Sequence, residues 1–477
     1  MLFNSLEFLI FFIAFFLLYW KVFNKQLKLQ NLLILVGSVI FYGWWDWRFL
    51  FLLFFSIVLD FVTGLKISKA EKTSTKKKWL ALSIGINLGF LGFFKYFNFF
   101  VTSFADLLQN MGFQPHLHTL NIILPVGISF YTFHGLSYVI DIYKGKIKAE
   151  KDFTDYAVFV SFFPLLVAGP IERATHLLPQ IKQKRIFNTQ QATDGLKQIL
   201  WGLFKKIAIA DVCAEYVNTI FGNPSDCSGA TLFLGAVFFA FQIYGDFSGY
   251  SDIALGTAKL LGIELLKNFS FPYFSRSIAE FWRRWHISLS SWFKDYLYIP
   301  LGGSKLGKYK TIRNTFIIFL VSGFWHGANF TFIIWGFLHA LYIMPSVIFN
   351  TNRNHLDIVA KNRFLPSIKE FLQIAITFLL VCLAWIFFRA ETLNDVFQYI
   401  QLMFTKSWFV IDKRLIKIAV LLLIFILIEW KQREQEIVLK LNIKNKFIRY
   451  IIYYLVLIAV WFFIAKTQKT DFIYFAF

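Results

Sequence analysis

Charge is the first thing this chain lacks. Only 16% of its 477 residues are Asp, Glu, Lys or Arg, against about 25% in ordinary soluble domains, while 57% are hydrophobic and 20% aromatic. No large soluble domain fits between the apolar segments, so the composition points to an all-α, polytopic membrane protein. Cysteine is also scarce. Cys213 and Cys227 fall in one loop where oxidation is chemically open, and Cys382 reads as a small apolar residue of a span. None is spaced with histidine as a metal ligand, and the chain has no zinc pattern, Walker loop or dinucleotide fingerprint, so no metal is expected. There is no internal repeat, which weighs against a transporter. The first twenty residues lack a basic lead-in and a small-residue cleavage pattern, so Phe8 to Trp20 reads as part of a retained first span.

Two loops, Thr102 to Leu120 and Val212 to Gly229, contain no lysine or arginine. The basic residues that give a net charge of +21 cluster instead at Lys21 to Lys28, Lys66 to Lys78 and Lys144 to Lys151. Alternation of this kind is the positive-inside pattern, so nucleic acid is not expected as a partner and the N-terminus is expected outside. Ala157 to Pro170 is too short and too glycine- and proline-marked to span, and reads as re-entrant. A span from about Asp194 to Asp211 leads out and Ala230 to Phe247 returns, which puts Lys259 to Arg313 at the cytoplasmic surface. Phe316 to Phe349 then reads as a broken pair dipping to His326 and back. Three further spans, near Phe371 to Phe388, Leu415 to Trp430 and Ile451 to Ile464, leave the C-terminus outside.

What the chain does have is a concentration of unusual residues between Glu280 and His326. Trp282, Trp285, Leu289, Trp292 and Tyr296 recur at spacings of three and four, the signature of one aromatic stripe on an interfacial helix, with Arg283, Arg284 and Lys294 facing elsewhere. His286 sits within that stretch. His326 lies inside an apolar run and is bracketed by Gly323 and Gly327; an ionisable group there is costly, and glycines permit a helix break at which chemistry can occur. Its plain alternative is a neutral imidazole bonded to a neighbouring carbonyl. Tyr244 to Asp252 brings Asp246 and Asp252 to what reads as the inner end of a span, where a polar helix end is the simpler account. Phe163 to Arg173 offers a turn with Arg173 beyond it, and the aromatic tail Phe472 to Phe477 reads by composition as an interfacial anchor. His339 and His134 read as structural.

In these stretches the chain resembles the membrane-bound O-acyltransferase (MBOAT) family, in its bacterial branch of alginate and peptidoglycan O-acetylation proteins. The resemblance is carried by Val-Ala-Gly-Pro-Ile, Tyr-Gly-Asp-Phe-Ser-Gly-Tyr-Ser-Asp-Ile-Ala, Phe-Trp-Arg-Arg-Trp-His-Ile-Ser-Leu-Ser and Trp-His-Gly-Ala, in family order, and extends over essentially the whole chain, 1–477, as one integral-membrane domain with its core near 155–345. It implies a ring of tilted transmembrane helices, with re-entrant and interfacial helices around a central tunnel, in a bacterial cytoplasmic membrane. It implies His326 as the catalytic histidine, His286 as the second, Trp325 in support, and acetyl-coenzyme A as donor with its phosphates on Arg283, Arg284, Lys294 and Arg173. The tail matches the family's Phe-Ile-Tyr-Phe-x-Phe, with Ala476 at the variable place, which makes Tyr474 a candidate transient acyl carrier. An extracytoplasmic hydrolase-fold (SGNH-like) acetyltransferase would then pass the group to a polysaccharide hydroxyl. The rival from another class is a transporter or channel component of a polysaccharide export system, with the histidines and the Asp246/Asp252 pair as its polar pathway.

Overall fold

The computed structural model describes residues 1–113, 120, 122–167, 169–410, 412–441, 443–467, 470 and 472–473. Among them every regular element is helical, and six helices are long and apolar enough to cross a membrane, namely Trp47–Lys69, Thr73–Asn110, Gly229–Leu260, Phe330–Ile348, Ile368–Arg389 and Lys446–Ile464. The chain forms two compact units, Met1–Ala192 with Thr257–Leu266, and Thr193–Gly256 with Lys267–Phe477.

The first unit contains α1 (Leu6–Leu17), α2 (Leu27–Gly43), α3 (Leu50–Lys69), α4 (Thr73–Leu91), α5 (Phe97–Asn110), α6 (Ile128–Tyr143), α7 (Phe153–Ser161), α8 (Phe163–Leu166) and α9 (Ala174–Ile181). Helices α7 and α8 are largely buried, each is too short to span, and they turn on Phe162. One buried carboxylate of this unit is answered locally. Asp60 on α3 accepts from Ser83 Oγ at 2.7 Å and Asn87 Nδ2 at 2.8 Å on α4, and Gly135 on α6 leaves room for that carboxylate, since a Cβ there would lie 1.9 Å from Asp60 Oδ2. The segment Thr257–Leu266 joins this unit because Tyr19 and Trp20 donate to the carbonyls of Leu261 and Leu260, both at 2.9 Å.

The second unit is built on two glycine seams. Helix α10 (Thr189–Phe204) continues through a π-helical stretch, Lys205–Asp211, into α11 (Val212–Gly222), and runs beside the 32-residue α12 (Gly229–Leu260). Along that seam a Cβ on Gly202 would meet Gly249 O at 2.6 Å, and one on Gly256 would meet Gly195 O at 2.5 Å. Backbones this close leave no room for a side chain at either glycine. Tyr244 to Asp252 is therefore not the end of a span but the middle of a long helix, because its glycines serve interhelical packing rather than a turn. The expected outer loop from Val212 is likewise helical as far as Gly222. Cys213 is buried in it, and Cys213, Cys227 and Cys382 are all free thiols.

The second seam closes a hairpin. Helix α13 (Ile278–Arg284) and α14 (Ile287–Phe293) precede α15 (Lys308–His326), which is followed after three residues by α16 (Phe330–Ile348). A Cβ on Gly323 would lie 2.3 Å from Phe332 O, and one on Gly336 2.3 Å from Phe319 O. A helix break at His326 is thus present: α15 ends on the histidine, Gly327 is extended, and Asn329 caps α16 by accepting from Thr331 N at 3.1 Å. The unit is completed by α17 (Ile368–Arg389), α18 (Leu393–Thr405), α19 (Lys413–Gln432) and α20 (Lys446–Ile464). Within the six apolar helices, α12 is 72% buried by protein and α20 only 6%, so α12 carries the interior of this unit and α20 meets its surroundings.

Candidate active site

Local sequence explains why the two histidines stand out. The aromatic stripe from Trp282 to Tyr296 does not lie on one helix: the chain breaks at Trp285 and His286, and His286 takes the left-handed conformation (φ 42°, ψ 54°) before α14 begins. A side chain other than glycine held there costs about 1–3 kcal/mol and persists only where the surroundings enforce it. Here they do: Ile287 N donates to Asn268 O at 2.9 Å, Ser288 Oγ to Asn268 Oδ1 at 2.5 Å, and Ser270 N to Arg284 O at 3.0 Å. The tryptophans face protein rather than a membrane surface. Trp282, Trp285 and Trp292 are all buried, with Trp285 packed on Phe281 (ring centroids 5.5 Å apart), Phe269 (5.0 Å) and Trp385 (5.1 Å). Contacts of this kind add about 0.5–1.5 kcal/mol each beyond burial, which is why the break is rigid.

This arrangement brings His286, His326 and Trp325 together. The imidazole centroids are 6.5 Å apart, with Trp325 6.1 Å from His286 and 4.9 Å from His326. His326 is further walled by Trp335 at 5.0 Å and Phe388 at 5.4 Å, and both histidines are buried. His286 lies outside the apolar spanning helices; burial pushes its imidazole down to about 3, so it is held neutral. Among the described residues neither of its ring nitrogens has a hydrogen-bond partner. One nitrogen of each of two other histidines is engaged: His339 accepts at Nδ1 from Trp282 Nε1 at 3.3 Å and His134 accepts at Nε2 from Glu172 N at 3.1 Å.

The remaining expected site residues are distributed differently. Asp246 adjoins Phe247, whose ring stands 4.7 Å from His286 and 6.0 Å from Phe472 of the tail. Asp252 does not join the histidines: it pairs with Lys205 (2.5 Å), accepts from Gln198 (2.9 Å), and lines a small polar cavity of about 60 Å³ with Tyr244 and Glu429. Arg283 donates to the carbonyls of Asn352, Asn354 and His355, at 2.6, 2.9 and 3.1 Å, and Arg284 pairs with Glu280 at 2.8 Å, so both guanidinium groups fasten the protein's own loops. Lys294 is exposed and stands on the lining of an apolar cavity of about 240 Å³ with Trp282, Phe293 and Phe319. Arg173 belongs to the other compact unit, buried, with its Nη1 3.4 Å from Ile171 O. Tyr474 lies outside the described residues. Two groups were passed over by sequence reasoning. Lys206, with Asp211, is one; Glu429, which accepts from Tyr244 OH at 2.9 Å, is the other. A lysine pair inside an apolar span is a signal that could have found the first.

Comparison with known proteins settles the family. The family model for membrane-bound O-acyltransferases matches residues 148–388, a stretch that holds both histidines. The chain is 40% identical over 406 residues to the probable alginate O-acetylase AlgI of Pseudomonas aeruginosa, covering 85% of this chain and 75% of that protein. The chain belongs to the membrane-bound O-acyltransferase family. This membrane-bound O-acyltransferase is also 37% identical over 417 residues to the peptidoglycan O-acetyltransferase of Helicobacter pylori, covering 82% and 76% of the two chains. A more distant relative is the teichoic acid D-alanyltransferase of Bacillus subtilis, at 30% over 301 residues, or 58% of this chain and 72% of that one. The protein is therefore an acyltransferase.

Proposed function

We propose that this protein takes an acetyl group from acetyl-coenzyme A at the cytoplasmic face of a bacterial inner membrane and hands it on for O-acetylation of an extracytoplasmic polysaccharide. The observation that carries the reading is the pair of buried imidazoles at the α15–α16 hairpin, 6.5 Å apart and walled by aromatic side chains, in a chain whose relatives are named O-acetylases. A neutral, desolvated histidine is suited to take a hydroxyl proton as the oxygen attacks a thioester. His326 is assigned that proton. His286, whose ring centroid lies 6.5 Å from that of His326, is assigned to orient the donor's carbonyl.

The acceptor at this site is taken to be the phenol of Tyr474. In the first step the phenol oxygen bonds to the acetyl carbon, the carbon–sulfur bond breaks, and the proton lost by the phenol leaves with the coenzyme A thiol by way of His326. In the second, a serine hydroxyl of an external SGNH-like partner attacks the phenyl ester and restores the phenol. A phenol (pKa about 10) is a leaving group close to a thiol (about 8.5), so the ester keeps much of the thioester's transfer potential, which a serine ester would not. Docking of the tail supports this, since Phe472 packs on the Phe247 ring that also touches His286. For the donor, exposed Lys294 beside the 240 Å³ apolar cavity suits a phosphate followed by a flexible arm. Both termini are placed outside.

The test is polymer acetylation in cells carrying single variants. His326→Ala is expected to abolish it with the protein still folded in the membrane, and Tyr474→Phe, which keeps the ring and removes only the hydroxyl, is expected to do the same. Normal acetylation in the Tyr474→Phe strain would exclude the carrier and leave direct transfer at His326.

A further inference from the structure

The tail is held in place by more than its aromatic rings. In the π-helical stretch Lys205–Asp211 the i→i+5 register brings Lys206 and Asp211 to one face of the helix. Gly245 and Gly249 let α12 approach that face closely, which brings Asp246 to the same point. The Lys206 ammonium is 2.9 Å from Asp211 Oδ1, 2.7 Å from Asp246 Oδ1 and 5.5 Å above the Tyr250 ring, and all three ionic side chains are buried. Each member of this triad also grips the tail. Lys206 Nζ donates to Thr470 O at 3.0 Å, the Thr470 hydroxyl donates to Asp211 Oδ1, and Ile473 N donates to Asp246 Oδ2 at 2.6 Å. Phe472, between the two anchor points, is 1% exposed and stands 4.7 Å from Tyr250.

We propose that Lys206, Asp211 and Asp246 form an ionic latch whose task is to seat the C-terminal tail, and so to fix where the chain emerges beside the histidine pair. One cation shared by two carboxylates leaves a net negative site, and what satisfies its spare acceptors is a hydroxyl and a main-chain N–H of the tail. A buried charge cluster is a poor source of stability when apolar residues could fill the same space, and its value lies in specifying one arrangement. The latch reads main chain at Ile473 and a side chain only at Thr470. It therefore fixes the register of the tail to the residue, which a purely aromatic contact would leave free to slip. These are positioning residues: they touch the tail, not the reacting atoms. The inference deepens the proposed function by assigning the placement of Tyr474 to a defined device, and it rests on that reading only for its consequence in acyl transfer.

The test reads tail seating separately from activity. In full-length protein with Cys213→Ala, Cys227→Ser and Cys382→Ala, Ile473→Cys keeps the N–H that Asp246 binds and supplies a label site. Its reaction with a water-soluble maleimide is expected to be about tenfold faster when Lys206→Met is added, the scale set by losing charge-assisted bonds to the tail, and to return towards the starting rate with Lys206→Arg. Since Lys206→Met strips the cation from two buried carboxylates and can prevent folding, Thr470→Val serves as the second variant. It leaves the triad intact, removes one grip, and is expected to accelerate labelling about threefold. Unchanged labelling in Thr470→Val, with Lys206→Met either unchanged or unfolded, overturns the latch. Faster labelling with full polymer acetylation supports the latch and counts instead against the tail as carrier.

Discussion

The two compact units bury ionisable groups by opposite means. Around α3, α4 and α6, Asp60 is answered by Ser83 and Asn87, and His134 accepts from the Glu172 amide at one ring nitrogen, so each of these groups has a neutral partner within hydrogen-bond reach. Around α12 and the α15–α16 hairpin, His286 sits on a left-handed residue with both ring nitrogens unpartnered among the described residues, and Lys206 is divided between two carboxylates and the tail. Burial is common to both. What sets the second unit apart is backbone strain accepted at His286 and a buried charge cluster that engages the tail.

Several substitutions can break that contrast. The largest effect belongs to the histidines: His286→Ala is expected to cut acetylation at least about a hundredfold, the scale of a lost positioned polar group, with little change in the amount of folded protein. His134→Ala should do the reverse, leaving activity per molecule within about threefold while destabilising the fold by about 1–3 kcal/mol, because the Glu172 amide loses its acceptor. A His134 variant that is stable but inactive would erase the distinction. Measuring acetylation and thermal stability side by side for both variants checks it.

A smaller effect is expected at the hairpin. Gly336→Ala places a methyl group 2.3 Å from Phe319 O, so α15 and α16 must separate, at a cost of about 1–3 kcal/mol. Because the shift moves His326 relative to His286, activity should fall further than stability predicts. Gly85→Ala on α4, where a Cβ would meet nothing within 4 Å, is the control and should be neutral in both assays.

The smallest effect is on pH dependence. The His286 imidazole titrates near 3 in the folded protein and near 6.5 when unfolded, so below 6.5 the unfolded chain binds the extra proton. Stability from this group is complete above 6.5 and is lost as pH falls towards 3. Thermal unfolding between pH 7 and 5 should therefore show a downward slope that His286→Gln makes shallower. An identical slope in the variant would mean that His286 is not buried as a neutral base.

How much of this was legible in the residues follows from the range of each interaction. The hairpin at His326 could be read because Gly323, Trp325, His326 and Gly327 are neighbours in an apolar run. His286 could be singled out, but not its setting: the three-and-four spacing from Trp282 to Tyr296 fits one helix well, and nothing local reveals that Asn268 pulls the chain into a break at Trp285. The arginines were over-read for a similar reason, since the carbonyls that occupy Arg283 lie some seventy positions away at Asn352 to His355. Tyr244 to Asp252 reads as a helix end because its glycines look like turn residues until Gly202 and Gly195 are placed against them. The joining of the latch to the tail was not legible. Lys206 and Thr470 are 264 residues apart, and neither carries a local pattern that names the other.

The central claim is that the histidine pair transfers an acetyl group to the tail, and isotope transfer in proteoliposomes tests it most directly. Purified protein without the external partner is given acetyl-coenzyme A carrying a labelled acetyl group, and the C-terminal peptide is then recovered and weighed. The account predicts label on that peptide in the unmodified protein, none in Tyr474→Phe and none in His326→Ala. Label persisting on the peptide in His326→Ala, or a peptide without label in the unmodified protein, would contradict it.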